Sequence, residues 1–454
     1  MAEEFTEVKV PRRILNGLLA ALGSGVVPRS GAPYIAIGRQ DEIASLLANL
    51  DTVADGGAVC RFIIGRYGSG KSFLIQLIRG YALDRGFLCA DADLTPERRL
   101  TGGTGAGLAT YRELMTKLSS KAMPEGGALP TVLSRYFTAV RTELVGEGIL
   151  PEDIRFSTEL KKRVYTTLSS LEGDVGGFDF AHVLCEYYDA ALAEEQDKKN
   201  ACIRWLRGEF VTKTEARTAL GFPVSTVITD DNWYSFVKLL ALFARAIGYN
   251  GLLLFIDECV NLYKIPNRIS REANYEKILS VFNDTLQGRA CGLGVFFGGT
   301  PQFLEDPRRG LFSYEALKSR LEDSRYAEMG YRNLSSPVIR LRRLTDNELY
   351  ALIQRLTRLY AQREGAETPP LTDAQIGMFM QRALSRVGAD EMITPREIIR
   401  DYLTVLNILR DNPTVSFEEL LASSAQSAAS PTETEETVSA EEPKNRVSIF
   451  DIDI

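Results

Sequence analysis

Residues 65–72 read Gly-Arg-Tyr-Gly-Ser-Gly-Lys-Ser, a full match to G-x-x-x-x-G-K-[ST], and this octet restricts the fold more than any other feature. Such a loop works only as the turn between a buried strand and a helix. Both flanks comply: residues 59–64 (VCRFII) are apolar enough for a buried strand, and FLIQLIRGYAL after Lys71 has helical spacing. Glycines let main-chain N–H groups line a concave nest, and the helix N-terminus adds partial positive charge. Lys71 is expected to neutralise β- and γ-phosphates and Ser72 to ligate Mg²⁺. A chance glycine-rich turn is the competing reading, and two correct flanks weigh against it.

A second apolar strand, LLLFID, ends at Asp257 and is followed by Glu258. Asp257 is expected to hold Mg²⁺ through water. Glu258, by strand alternation, is expected to project from the opposite face and polarise an attacking water. Two solvated carboxylates closing a strand is the plainer alternative. A carboxylate here favours water over a metabolite hydroxyl as nucleophile. Gly298-Gly299-Thr300-Pro301 ends a further strand, and Thr300 is the candidate contact to the γ-phosphate and the lytic water, although GGTP is also a good turn.

The pattern around these motifs predicts α/β architecture. Helical spacing covers residues 10–22 and 38–50, strands are expected at 59–64, 87–92, 252–258 and 293–299, and a helix at 275–287. Strands alternating with helices imply a parallel sheet flanked by helices. Asp257 follows Lys71 by 186 residues, and the stretch between 95 and 238 is helical in pattern, so it reads as an insertion. The expected divisions are 1–95 and 239–343 for the two parts of the core, 96–238 for the helical insertion and 344–421 for a small helical lid. Thr345–Glu348 and Thr372–Gln375 form capping boxes, and Thr394-Pro395-Arg396-Glu397 starts a third helix with proline at its first position. Beyond Ala422 the composition (ASSAQSAASPTETEETVSAEEP) cannot offset ordering entropy, so 422–446 is expected to be a disordered linker. The last residues, 447–454 (VSIFDIDI), place Phe450, Ile452 and Ile454 on one face of an extended chain, which suits either a docking peptide or an idle terminus.

Composition removes several chemistries. A single histidine, His182, excludes a multi-histidine metal site and leaves one residue for any histidine-dependent triad. Six cysteines, none forming CxxC, read as small core residues of a reducing compartment. Neither a signal peptide nor an apolar run long enough for a bilayer is evident, so a cytoplasmic protein with no membrane partner is expected. The net charge of −7 argues against an all-over nucleic-acid-binding surface.

One local exception stands out. Between Arg308 and Arg343 lie nine basic residues (Arg308, Arg309, Lys318, Arg320, Arg325, Arg332, Arg340, Arg342, Arg343) against four acidic ones. This stripe suits a neighbouring subunit's phosphates, a nucleic-acid backbone, or simply a solvated helical face. Arg320 is the first choice for an arginine acting in trans, with Arg308 and Arg309 as substitutes. Arg396, at the start of a lid helix, is placed to fold back onto the γ-phosphate.

GRYGSGKS, LLLFIDE, GGTP, SRL and TPRE, in this order, resemble Walker A, Walker B, sensor 1, arginine finger and sensor 2 of AAA+ ATPases. GRQDEI resembles the opening helix of the origin-recognition branch. GYNGLLLFIDECVNLYKI, NYEKILSVFNDTLQG and RRGLFSYEALKSRL resemble the BREX-system ATP-binding proteins of bacterial phage-defence operons, over roughly residues 10–410. This resemblance implies ATP and Mg²⁺ as ligands, with Gly65, Arg66, Tyr67, Gly68, Ser69, Gly70, Lys71, Ser72, Phe73 and Arg39 as the nucleotide-binding set. It also implies a homo-oligomer alongside a helicase, methyltransferase or nuclease of the same defence system. A winged-helix domain after the lid is not expected, so any DNA contact is expected to be electrostatic and without sequence specificity. A nucleotide-dependent switch or scaffold with little turnover, and a phosphoryl transferase acting on a small molecule, stay open as rivals.

Overall fold

The computed structural model describes residues 9–168, 176–323, 333–385 and 394–427. Five strands form one sheet: β1 (Ala58–Ile64), β2 (Leu88–Asp93), β3 (Leu252–Asp257), β4 (Leu293–Gly299) and β5 (Val338–Arg340). Their order is β2-β3-β4-β1-β5, and every pairing is parallel. Register therefore brings all five carboxyl ends to one edge, with Asp93 opposite Asp257 and Ile64 opposite both Gly299 and Arg340. An edge of this kind, where helices depart to both faces, is where open α/β sheets bind ligands. The architecture is α/β and compatible with a P-loop fold.

Both faces of the sheet are covered, as near-continuous apolar strands require. Ile63, Leu253, Phe255 and Phe296 pack against the helices Gln40–Ala54 and Lys71–Asp84. On the other face Phe62, Ile64, Leu254 and Phe297 share a single core with Tyr136, Phe137, Tyr187, Trp205 and Trp233. These aromatics come from the long helical stretch between β2 and β3, so that stretch is the second layer of the sheet. Full burial of each such ring contributes roughly 1.5–3 kcal/mol. Tyr136 meets Phe243 edge to face at 5.4 Å, which adds specificity to the packing. The helix Trp233–Ala246 runs across position 238, where the pattern of residues placed a boundary.

A glycine-rich piece, residues 101–107, follows β2 and resembles an anion nest, but the chain fills it. Asp230 accepts from Gly102 N (2.8 Å), Gly107 N (2.6 Å), Leu108 N (3.2 Å) and the Thr101 hydroxyl (2.9 Å). Asn274 and Trp233 hold Leu100 and Thr101 beside it.

Residues up to Leu403 pack as one unit and those from Thr404 as a second. In the first, the helices Asp346–Glu364 and Asp373–Leu384 each begin with a complete capping box, at Thr345–Glu348 and Thr372–Gln375. Thr394 and Glu397 exchange the same two bonds at the start of Pro395–Asp411. In the second unit, Ser416 and Glu419 start Phe417–Ser427, a helix that runs past the point where the composition turns linker-like.

Three local expectations change. Between the first two helices, Ala32–Ile35 forms a 3-10 turn, where the sequence reading assigned no element. The helix expected at 275–287 begins earlier, at Arg268, because the Asn267 side chain accepts from Ser270 N and caps it. Five cysteines are buried as expected, while Cys291 is exposed. His182 lies between the Phe178 and Phe222 rings. Among the described residues no group of three His, Cys, Asp or Glu suits a metal, and no helix is long and apolar enough to cross a membrane. Positions 428–454, including the expected docking peptide, lie outside the described residues, as do Arg325 and Arg332.

Candidate functional site

The glycine-rich loop leaves β1 at Gly65, whose N–H donates to Gly299 O of β4 (3.1 Å). Ser69 N–H closes the turn on Arg66 O (3.1 Å), and Gly68 and Gly70 adopt φ of +75° and +90°, a region that favours glycine. Gly68 is also needed for space, since a Cβ there would lie 2.3 Å from Thr394 Cγ2. Lys71 opens the helix and donates through Nζ to Gly65 O (3.0 Å) and Arg66 O (3.2 Å), which holds the loop closed around its ammonium. Burial lowers the Lys71 pKa, and the Asp257 and Glu258 carboxylates oppose that shift.

Ser72 Oγ donates to Asp257 Oδ2 at 2.7 Å, which joins the loop to the tip of β3. Asp257 is 9% exposed, and its other oxygen accepts from Glu258 N–H at 2.8 Å. Strand alternation stops at this point. Glu258 has φ +56°, so a turn in the left-handed region sets its direction, and the expectation of an opposite-face projection from β3 does not apply. Such a conformation costs about 1 kcal/mol or more in a non-glycine residue. It brings Glu258 to the wall of a cavity of about 220 Å³ that Lys71, Ser72, Phe73, Gly68, Ser69 and Gly70 also line. Withdrawal from water and the adjoining Asp257 charge raise the Glu258 carboxyl, against the opposing effect of Lys71.

The same cavity has an apolar lining as well: Val26, Val27, Ile35, Ile37, Leu352 and Ile399 belong to its wall. These residues escaped the reading of the sequence. The only signal was an apolar Val-Val-Pro inside a glycine- and serine-rich loop. Tyr67, 77% exposed, borders the mouth with Arg396, whose guanidinium lies 5.8 Å from the ring centroid and donates to the hydroxyl at 3.5 Å. Arg39 lines the cavity too, but its donors go to main-chain carbonyls.

Other candidates lie elsewhere. Thr300 caps the helix Pro301–Glu305 through Phe303 N (3.3 Å) and lines a larger open groove with Arg66, Tyr67 and Arg308, not the cavity of Lys71 and Glu258. Arg320 is exposed on the helix Glu315–Leu321, donates to Ala316 O (2.6 Å) and lines neither space. Arg309 donates to Tyr263 O and Ile265 O, both at 3.2 Å, and lines neither space. Arg340 pairs with Glu305 and Asp323, and Arg342 with Glu348.

The Arg342–Glu348 pair yields a pH prediction. The guanidinium beside it and the Thr345 cap hold the Glu348 carboxyl at about 2, below its ordinary 4.5. A lowered folded-state value means that this stabilisation is complete above pH 4.5 and is lost as pH falls toward 2. Glu348→Gln should therefore flatten the acid side of the unfolding curve in that window, as followed by denaturant titration. An unchanged slope would show that Glu348 gains nothing from Arg342.

The loop, Ser72 and Glu258 thus line one cavity together with apolar residues, and Ser72 ties it to Asp257. The comparison with curated proteins returns no match. The family model described as BREX system ATP-binding protein BrxC/D matches residues 10–425. That range takes in every element around the cavity, and the chain belongs to the BREX system ATP-binding protein BrxC/D family.

Proposed function

We propose that this phage-defence ATP-binding protein is an ATP-hydrolysing AAA+ subunit, binding ATP with Mg²⁺ in the cavity beside Lys71. The observation that carries the reading is the 2.7 Å contact between the Ser72 hydroxyl and the Asp257 carboxylate, two hard oxygen donors of the kind Mg²⁺ takes from proteins. A bound Mg²⁺ would supply neutralisation of phosphate charge, with Ser72 and Asp257 holding it. The Gly65–Gly70 amides and the Lys71 ammonium bind the phosphates, and Val26, Val27, Ile35 and Ile37 exclude water from the base. Glu258 takes the proton of the attacking water.

Arg396, which lines the same cavity as Lys71, contacts the γ-phosphate, and Thr300, whose hydroxyl accepts the helix-cap bond and keeps its own O–H to donate, does so from the neighbouring strand tip. Arg320 acts on a neighbouring copy in a homo-oligomer. The assembly is cytoplasmic, works beside a helicase, methyltransferase or nuclease, and meets DNA through its backbone without sequence specificity.

The test is product analysis with purified protein and ATP. Free phosphate, released with Mg²⁺ and suppressed by EDTA, is the expected result. A phosphorylated small molecule would make the chain a transferase, and bound ATP without turnover would make it a switch. Mass measurement with and without ATP tests the oligomer, which Arg320 requires.

A further inference from the structure

Arg39 is among the few charged side chains buried in this protein, at 5% exposure, and it stands where two parts of the first unit meet. Its Nη2 donates to Ser69 O in the phosphate loop at 2.9 Å and to Arg342 O, just after β5, at 2.7 Å. Glu42 faces Nη1 at 3.5 Å. Gly38 before it has φ +72°, and a Cβ there would lie 2.7 Å from the Glu348 carboxyl carbon. The Gly-Arg pair therefore packs against the root of the helix Asp346–Glu364, and its arginine reaches from there to the loop.

Peptide planarity turns a grip on a carbonyl into control of an amide. In a trans peptide the C=O of Ser69 and the N–H of Gly70 point in opposite directions. A donor fixed on Ser69 O thus fixes the Gly70 N–H on the other side, and that N–H meets no acceptor among the described residues. Gly70, at φ +90°, carries no side chain to restrain the plane, and so the guanidinium supplies the restraint.

We infer that Arg39 is a positioning residue for phosphate binding, one that aims the Ser69–Gly70 peptide at the phosphates and does not read the base. This rests on the cavity being the nucleotide site. Both acceptors are main-chain oxygens held by the one nitrogen Nη2, whose two N–H bonds are fixed in the guanidinium plane, whereas a lysine ammonium turns freely about its stem.

The experiment compares full-length wild type, Arg39→Lys and Arg39→Met for binding of ATP, ADP and adenosine, with melting curves of each. Arg39→Met should lose at least about tenfold in affinity for ATP and ADP, the scale of one charged hydrogen bond, while adenosine changes by less than about twofold. Arg39→Lys should recover part of the ATP affinity. Should the methionine variant fail to fold, the lysine variant carries the comparison, since loss for ATP and ADP with adenosine spared remains the signature. Equal loss for all three ligands would assign Arg39 to the base, and wild-type ATP affinity in a folded variant would remove its role; either overturns the inference. If wild type itself binds no ATP, the nucleotide-site reading fails first, and the inference falls with it.

Discussion

Glu258→Gln should leave ATP bound and slow its hydrolysis at least about a hundredfold, the lower end of what a positioned general base contributes. The side chain keeps its length and its place on the cavity wall, because a main-chain turn at φ +56° and the bond from Glu258 N–H to Asp257 Oδ1 set its direction. What goes is the ability to accept a proton. Binding does not suffer, since an amide removes a negative charge from the neighbourhood of a triphosphate, and Lys71, Ser72 and Asp257 are untouched. The raised carboxyl fits the role: desolvation and the Asp257 charge make Glu258 a stronger base than a solvated glutamate. The measurement is paired, phosphate release beside ATP affinity on the same sample. Turnover within a few-fold of wild type would take the base assignment away, and a matching loss of affinity would show that Glu258 holds nucleotide or fold instead.

The sequence made the glycine-loop part of this cavity's wall legible because its requirements are local. A strand, a glycine turn and a helix N-terminus are contiguous in the chain, and Asp257 closes a run of five apolar residues that reads as a strand unaided. The apolar lining was not legible. Val26, Val27 and Ile37 come from a loop, Leu352 and Ile399 from helices more than three hundred residues later, and no periodicity links them. β5 escaped for a different reason: three residues, Val338–Arg340, are too few for a pattern, and the pairing with β1 alone makes them a strand. Arg39 came in only through the family resemblance, and the contacts it makes were hidden because its partners are carbonyls, which no sequence shows. Glu258 was placed by strand alternation, a rule that lapses one residue too early here, at Asp257.

Gly298→Ala is expected to raise the Mg²⁺ concentration for half-maximal ATP hydrolysis at least about tenfold, the scale seen when groups that orient a metal's ligands are disturbed. Gly298 lies in β4 opposite Ile63 of β1, and an added Cβ would sit 2.2 Å from Asp257 Oδ1 and 3.0 Å from Ile75 Cδ1. The carboxylate has no easy retreat. One oxygen takes the Ser72 hydroxyl at 2.7 Å and the other the Glu258 N–H at 2.8 Å, so turning it aside breaks the pair that is to hold the metal. Overpacking by itself also costs stability, about 1–3 kcal/mol, and a loss of activity could report only that. Gly294→Ala separates the two effects. It lies in the same strand, where a Cβ would press on Leu253 Cδ2 at 2.6 Å, far along β4 from Asp257. Both variants should unfold at lower denaturant, but only Gly298→Ala should need more Mg²⁺. Equal Mg²⁺ requirements in the two would mean that Asp257 and Ser72 do not hold the metal, whatever else their contact does.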